Sequence, residues 1–317
     1  MTCRTLSIVV CSRNGRARLI PLLASVAALR VPARTCVELV FVDNGSNDGT
    51  RELVLGFNHG VRLTYVHEPT PGHSRALNHG VEASSGEVLL FTDDDAVVDA
   101  DWLAGYARAA ESYPDGGYFF GVIRPVFPTG FTPPAWTRLA PRSISGRYQG
   151  SDAIRYRRFS RDSYPIGVNM ALRRSALPSQ RPFDERLGPG GRAGVMDGAD
   201  TYLGRRMIEA GFAAYYIPWA IVTHRIPAER VGWNYLCARA RSSGFASATY
   251  RYSGNGGTAV ISSLRLWSRL LRARMLAATT AVFGSSGDAR RWSLEAQKVE
   301  GAIAGLAGRM KRVWKTL

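Results

Sequence analysis

The stretch EVLLFTDDDAVV, residues 87–98, sets a short apolar run directly before three consecutive aspartates, Asp93, Asp94 and Asp95. The apolar run is typical of a buried strand. Like charges this close repel one another, so a carboxylate cluster at a strand end normally persists because a positive group lies on it. Asp95 could instead cap a helix that starts near Ala100, since Asp is a common N-cap residue. Capping needs one aspartate rather than three, and the triplet therefore favours a cation site.

Three earlier segments also read as buried parallel strands that end in polar residues. They are LSIVVC (6–11), VELVFVD (37–43) and VRLTYVH (61–67). Segments of helical period lie between the strands, at 17–29, 49–56 and 73–84. This alternation predicts a parallel sheet with helices on both faces, joined by right-handed crossovers. Ligands of such sheets bind beyond the carboxyl ends of the strands, so we expect Asn14, Asp43, His67 and the triplet to meet there.

The second half of the sequence is less regular. The segment YPIGVNMALRRSAL (164–177) predicts a strand that enters a helix, and the glycine-rich stretch 187–200 predicts a mobile loop. A helix is expected from Asp200 to about Ala210, followed by strands that lead to His224.

Length and composition indicate a globular protein. A chain of 317 residues with 45% hydrophobic residues suits one large domain with an appendage, or two domains. The four cysteines show no CxxC spacing, which predicts neither a disulfide framework nor a zinc site and fits a reducing compartment. We find no signal-peptide pattern and no apolar stretch long enough to cross a bilayer.

Positive charge is concentrated in the C-terminal quarter. Of the formal net charge of +16, residues 234–317 carry +11, from 14 Lys+Arg against 3 Asp+Glu. The segment 262–284 predicts an amphipathic helix with Arg265, Arg269 and Arg272 on one face and Leu264, Trp267 and Leu271 on another. Three interpretations are open: packing on the catalytic domain or in a dimer with the arginines in water, contact with an anionic membrane, or an acidic partner.

Six motifs together resemble bacterial family 2 glycosyltransferases of the GT-A fold. In chain order they are VDNGSNDGT, GHSRALNHG, LLFTDDD, FDERLG, DGADTYLGRRM and YYIPWAIVTHRIP. The resemblance covers roughly residues 6–228 and implies an α/β, Rossmann-like domain with a mostly parallel central sheet and flanking helices. We expect this catalytic domain at 1–228, with a nucleotide-sugar half at about 1–100 and an acceptor half at about 101–228. A basic, amphipathic helical extension follows at 229–317.

The resemblance implies an inverting, metal-dependent transfer from a nucleoside-diphosphate sugar, with a UDP-sugar as the expected donor. By this resemblance, Asp43 contacts the nucleotide base and Asp93 faces the ribose. Asp95 holds Mn²⁺ or Mg²⁺ against the diphosphate, with Asp93 and His224 completing the metal site. A strand-end turn for Asp43 and a purely structural role for His224 are the alternatives.

Asp200 matches the general base of the family. The family commonly has Glu-Asp before this helix, whereas this chain has Ala199 and Asp200, with Asp197 three residues before Asp200. Asp197 is therefore the alternative base, and helix capping is the alternative role of Asp200.

Three further residues are expected to help bind the donor: Arg75, Asn78 and Asn14. The first two lie in GHSRALNHG, whose helix N-terminus could face phosphates. A solvated Arg75 and a structural Asn78 are the alternatives.

The expected acceptor is a saccharide, a lipid-linked saccharide or a small molecule. The expected location is the cytoplasm, with peripheral attachment to an anionic membrane surface on the inner face of the cell membrane, and a homodimer is possible. Two other functions are kept as alternatives: a sugar-phosphate nucleotidyltransferase, and a basic nucleic-acid-binding protein. A nucleotidyltransferase normally has a glycine-rich loop after the first strand, and CSRNGRARLIP resembles such a loop only weakly. The sequence contains no nucleic-acid-binding motif, so no nucleic acid is expected as a partner.

Overall fold

A computed structural model of the protein describes residues 4–57, 60–135, 137, 155–156, 167–191, 196, 198–251 and 256–316. The chain divides into two compact units. The first comprises Met1–Val126, Ser145–Glu185 and Ala199–Ile226, and the second comprises Phe127–Ile144, Arg186–Gly198 and Pro227–Leu317.

The described strands of the first unit form one sheet. They are β1 (Arg4–Ser12), β2 (Thr35–Asp43), β3 (Arg62–His67), β4 (Val88–Asp93), β5 (Ala96–Val98), β6 (Gly116–Val126), β7 (Arg155–Tyr156), β8 (Met170–Arg173) and β9 (Ala213–Arg225). Their order in the sheet is β3-β2-β1-β4-β8-β6-β9-β5, with β7 paired to β9.

The first four strands are parallel, as the alternating pattern predicted. β1 lies between β2 and β4, with Ser12 opposite Asp43 on one side and Cys11 opposite Asp93 on the other. The nearly continuous apolar sequences of β1, β2 and β4 are buried because helices cover the sheet. This register sets the carboxyl ends of β2 and β4 on either side of β1.

The remaining strands make the sheet mixed. β8 is antiparallel to both β4 and β6, β6 is parallel to β9, and β5 is antiparallel to β9. The predicted continuation of β8 into a helix is wrong, because only a short 3₁₀ turn at Arg174–Ala176 follows. Leu177 precedes a proline and is extended, and a residue before proline is disfavoured in the α conformation.

The helices of the first unit pack against this sheet. They are α1 (Arg16–Ala27), α2 (Thr50–Leu55), α3 (His73–Ala83), α4 (Trp102–Ser112) and α5 (Ala199–Glu209). The bounds of α5 agree with the helix expected at Asp200. Asp95 does not cap a helix, since β5 follows it directly and α4 begins only at Trp102.

One cysteine forms a disulfide that the spacing of the cysteines did not predict. Cys36, on β2, is disulfide-bonded, whereas Cys11 and Cys237 are free thiols. Spacing along the chain carries no information on which segments the sheet brings together, so it could not reveal this bond.

Three long helices dominate the described part of the second unit. They are α6 (Trp233–Arg251), α7 (Gly256–Phe283) and α8 (Ser286–Thr316). Close approach of α6 and α8 depends on glycine, because a Cβ at Gly244 or at Gly301 would overlap the backbone of the facing helix. Among the described residues, no helix is both long and apolar enough to span a bilayer.

The apolar face of α7 that packs against α8 is not the face that carries Trp267 and Leu271. Leu266, Leu270 and Ala273 form the apolar core with α8, whereas Trp267 and Leu271 are exposed. Because α7 carries apolar residues on two faces, its sequence did not show which of them packs. The side chain of Leu264 lies outside the described residues.

Candidate active site

Three side chains in the first unit form a cluster suited to a metal ion. Asp93, Asp95 and His224 each offer a ligand atom, and these atoms lie within 4.8 Å of one another. Nε2 of His224 lies 3.2 Å from Oδ1 of Asp95. The sheet explains the arrangement: β4 ends at Asp93, and pairing of Ala96 with His224 sets β9 beside the triplet. The structure thus brings together the residues that the sequence predicted as metal ligands.

Electrostatics of the cluster favour a cation. Burial raises the pKa of Asp93, and the negative charge of Asp95 raises it further, while His73 and His224 oppose the rise. Asp95 and His224 are themselves almost fully buried, at 4% and 5% exposed. Ionising two neighbouring carboxylates together costs free energy when water does not surround them, and a bound divalent cation offsets that cost.

The middle aspartate belongs to a different set of contacts. Nε and Nη2 of Arg18 donate to the two carboxylate oxygens of Asp94 at 3.0 and 2.8 Å. The Ser12 hydroxyl donates to Asp94 at 2.5 Å. Asp94 is therefore neutralised by α1, and only the outer two aspartates share the cluster with His224.

Asp43 lies buried at the end of β2, next to β1. Its Oδ1 accepts from the backbone N–H of Ser46 at 2.8 Å, and its Oδ2 accepts from the Tyr65 hydroxyl at 2.7 Å. Burial and the hydrogen bond to Asp43 raise the pKa of Tyr65, so that hydroxyl remains a donor. An ionised carboxylate has about four acceptor positions, which leaves Asp43 able to accept from a bound base as well.

Asn14 joins two loops at the same edge of the sheet. Its backbone is left-handed, with φ 49°, a conformation that asparagine tolerates better than most residues. Its Oδ1 accepts from the Asn47 N–H at 3.0 Å, and its own N–H donates to Ser46 Oγ at 2.9 Å. Asn14 thus supports the loop that carries the backbone donor to Asp43.

Asp200 lies in the first turn of α5. Its carboxylate accepts from the backbone N–H of Gly167 at 2.7 Å and from that of Thr201 at 2.7 Å. Asp200 is partly exposed, and it shares no hydrogen bond or ion pair with the Asp93 cluster among the described residues. Asp197, the alternative base, lies outside the described residues.

Comparison with known proteins identifies the family. The model of glycosyl transferase family 2 matches residues 7–179, which contain the triplet, Asp43 and the helix α3. The chain belongs to this family. As a glycosyltransferase it is an enzyme, as the six motifs predicted.

Two relatives resemble this glycosyltransferase over most of its length. The succinoglycan biosynthesis protein ExoM of Rhizobium meliloti is 29% identical over 96% of this chain and 93% of its own length. The N-acetylglucosaminyl-diphospho-decaprenol L-rhamnosyltransferase of Mycobacterium tuberculosis is 28% identical over 78% of this chain and 90% of its own length.

Solved structures show that this glycosyltransferase has the GT-A fold. The mannosyltransferase PcManGT of Pyrobaculum calidifontis, in complex with GDP-Man and Mn²⁺, has a TM-score of 0.62 at 20% identity, over 98% of this chain and 88% of that one. TarS 1–349 of S. aureus, in complex with UDP, has a TM-score of 0.53 at 16% identity, over 97% of this chain and 92% of that one.

Two predicted donor-binding residues of the glycosyltransferase contact the segment that follows β8. The Asn78 amide donates to the carbonyl of Phe183 and accepts from its N–H, both at 2.9 Å, and Asn78 is buried. Arg75 forms an ion pair with Glu185 at 2.9 Å. These contacts hold the FDE segment, 183–185, to α3, and donor binding by Arg75 and Asn78 stays a prediction.

Sequence reasoning missed four residues that surround the site: Arg18, Ser12, Tyr65 and His73. Arg18 and Ser12 bind Asp94, Tyr65 binds Asp43, and the charge of His73 acts on Asp93. A signal existed for His73, which occupies the first turn of the helix in GHSRALNHG. No sequence signal paired Arg18 with Asp94, because their contact arises only when α1 folds over the end of β4.

Proposed function

We propose that this glycosyltransferase moves a sugar, with inversion at C1, from a nucleoside-diphosphate sugar to a hydroxyl of a lipid-linked saccharide, and that it requires Mn²⁺ or Mg²⁺. The observation that carries the proposal is the cluster of Asp93, Asp95 and His224, whose ligand atoms lie within 4.8 Å and of which Asp95 and His224 are buried. It lies at the strand edge where parallel α/β sheets bind their ligands.

The residues present fit a divalent metal. Carboxylate oxygens suit Mg²⁺ and Mn²⁺, and imidazole is the commonest metal ligand in proteins. Asp93 forms no side-chain hydrogen bond or ion pair with the described residues, and burial raises its pKa, so its ionised form lacks a partner that a cation supplies. When bound, the metal stabilises the negative charge that develops on the departing diphosphate.

Donor binding is assigned to the loops that follow β1 and β2. Asp43 accepts a hydrogen bond from the nucleotide base while Ser46 and Tyr65 hold its carboxylate in place. Asp93 accepts from a ribose hydroxyl in addition to its role at the metal. A UDP-sugar is the proposed donor. The similar solved structures contain UDP in one case and GDP-Man in another, so both bases belong in the test.

Asp200 is the proposed general base. As the acceptor oxygen forms a bond to C1, Asp200 takes the proton of that hydroxyl, and the C1–oxygen bond to the diphosphate breaks with its electron pair on the diphosphate. The two backbone N–H groups of Gly167 and Thr201 fix the carboxylate. Asp197 remains the alternative base.

Support for a lipid-linked acceptor comes from the names of relatives. One relative is a rhamnosyltransferase of N-acetylglucosaminyl-diphospho-decaprenol, and another takes part in succinoglycan biosynthesis. Because the chain belongs to glycosyl transferase family 2, we no longer consider the two alternative functions, a nucleotidyltransferase and a nucleic-acid-binding protein.

The test is a panel of UDP-, GDP- and dTDP-sugars, incubated with the full chain with Mn²⁺ or with a chelator and scored by release of the nucleoside diphosphate. We expect release from one donor class only, and only with metal. NMR of the product with a polyprenyl-diphosphate saccharide should show an anomeric configuration opposite to that of the donor. Release that a chelator does not reduce contradicts the metal requirement, and retained configuration contradicts inversion.

A further inference from the structure

The helix α7 exposes a row of large apolar side chains. Its members are Trp267 (57% exposed), Leu271 (62%), Met275 (55%), Val282 (71%) and Phe283 (89%). The first four follow the spacing of one helical face, and exposed Ala278 lies on the same face. From Trp267 to Phe283 the row extends about 24 Å along the helix. We call these six residues the α7 row.

The α7 row is separate from the apolar contacts that hold the second unit together. Those contacts use Leu266, Leu270 and Ala273, which are buried against α8. The helix therefore has one apolar face that packs and a second that meets solvent. Soluble proteins expose single apolar residues routinely, but a continuous row of this kind marks an interaction surface.

The charged side chains of α7 are all positive. The helix contains four arginines and no carboxylate. Arg269 and Arg274 form ion pairs with Glu295 and Glu300 of α8, at 2.6 and 2.5 Å. Arg265 and Arg272 are exposed and form no ion pair with the described residues.

We propose that the α7 row docks on an anionic lipid surface. A helix lying in the membrane interface inserts its apolar face among the acyl chains while its basic flank binds lipid head groups. Tryptophan is enriched at this depth. Trp267 with Leu271, Met275 and Val282 supplies the inserted face, and Arg265 with Arg272 supplies the basic flank.

A second copy of the chain fits the α7 row less well. A twofold dimer through this face would set the same arginine-bearing, carboxylate-free helices against each other. The resulting repulsion between arginines opposes association. An anionic membrane matches both the apolar row and its flank, and this inference does not depend on the proposed donor or acceptor.

The experiment is flotation of the full chain with vesicles of phosphatidylcholine, with or without phosphatidylglycerol. We expect binding only to the anionic vesicles, weakened by salt that screens the arginines. The triple variant Trp267→Ser, Leu271→Ser, Val282→Ser should lose binding. The double variant Arg265→Glu, Arg272→Glu should bind at least roughly thirty-fold more weakly.

Matched controls come from exposed residues of the first unit. The control for the triple variant combines Ile20→Ser, Val31→Ser and Leu55→Ser, whose side chains are 55%, 49% and 52% exposed. The control for the double variant combines Arg34→Glu and Arg51→Glu, which are also exposed. The controls should bind as the unchanged protein does. If a control loses binding to the same degree, or if the unchanged protein ignores anionic vesicles at low salt, the proposal is overturned.

Two further measurements guard against misfolded variants and against a dimer. Lipids brominated on their acyl chains should quench the fluorescence of the unchanged protein more than that of Trp267→Phe, which keeps an apolar ring on the helix. Equal quenching contradicts insertion. Sedimentation velocity without lipid tests for a dimer. If the unchanged protein is a dimer and the triple variant is not, a second copy covers the α7 row and the proposal is overturned.

Discussion

Nε2 of His224 lies 3.2 Å from Oδ1 of Asp95, although the two residues are far apart in the chain. Antiparallel pairing of β5 with β9 sets Ala96 opposite His224 and so fixes the contact. Both side chains are buried. Because paired strands hold Asp95 and His224 in place, little conformational entropy is lost when these side chains bind a cation.

Asp95→Asn should abolish metal-dependent donor binding, because the amide removes a charged oxygen from the cluster. Asp94→Asn should leave most of that binding, since Asp94 is engaged by Arg18 and Ser12. Calorimetric titration of the donor with Mn²⁺ measures both. Equal losses in the two variants would contradict the division of roles within the triplet.

Asp94→Asn should instead lower stability by about 1 kcal/mol, the scale of a well-aligned but partly exposed ion pair. Urea unfolding of this variant beside Arg18→Gln measures the effect. If the pair is the cause, the double variant should lose less than the two single variants combined.

His224→Ala should weaken Mn²⁺ binding at least about tenfold, because it removes the only nitrogen ligand of the cluster. The control is His67→Ala, an exposed histidine at the end of β3. Electron paramagnetic resonance of bound Mn²⁺ reports the affinity. Unchanged affinity in His224→Ala would leave His224 with a structural role only.

Asp200→Asn should lower turnover by roughly 10²- to 10⁴-fold while donor affinity stays nearly intact, as expected for loss of a general base. Asparagine can still accept from Gly167 or Thr201, so α5 should remain in place. Asp197→Asn should cost less. Single-turnover kinetics beside donor titration measures both, and a reversed order would assign the base to Asp197.

Glu38 should make stability depend on pH. Burial by itself raises the pKa of Glu38, but hydrogen bonds from Ser7, Ser85 and Arg62 overcome it and lower the pKa from 4.5 to about 2. A folded-state pKa below the unfolded value contributes stability that is complete above about pH 4.5 and is lost as pH falls toward about 2. At neutral pH the contribution is about 3 kcal/mol.

Urea unfolding of Glu38→Gln at several pH values tests this. The deficit of the variant should be largest at neutral pH and should shrink below about pH 4.5. Glu87→Gln, at an exposed position, is the matched control and should change little. A deficit that stays constant with pH would assign the loss to packing rather than to ionisation.

Gly301→Ala should destabilise the second unit by about 1–3 kcal/mol, because the added methyl overlaps the backbone carbonyl of Arg241 and forces α6 and α8 apart. Gly287→Ala, near the start of α8 with only Ser285 close by, should instead be neutral or stabilising. Thermal unfolding followed by circular dichroism compares them. A similar loss in both variants would contradict the close crossing.

The sequence predicted the four parallel strands and a cation site at the aspartate triplet because both follow from local patterns, whereas His224 was expected only from the family resemblance. β1 to β4 are apolar runs that end in polar residues, and the carboxyl ends of parallel strands meet at one edge whatever the details. Prediction failed after β8, where a proline two residues beyond Ala176 decides between helix and extended chain.

Partners that depend on tertiary contact could not be predicted. Arg18 reaches Asp94 from α1, and Asn78 bonds to Phe183 across the fold. For α7, both apolar faces have helical spacing, so the period alone could not decide which face α8 covers. The face that packs is defined by its contact with Ala296, Val299 and Leu306 of α8, which the sequence of α7 does not contain.

The ion pair between Arg18 and Asp94 gives the middle aspartate of the triplet a structural role that the outer two do not share. Asp93 and Asp95 belong to the proposed metal site, whereas Asp94 holds α1 to the end of β4. We therefore expect that substitutions at Asp93 and Asp95 can remove the proposed metal site without loosening α1. The contact between Arg18 and Asp94 would remain after that change, and with it the conformation of the chain at the end of β4.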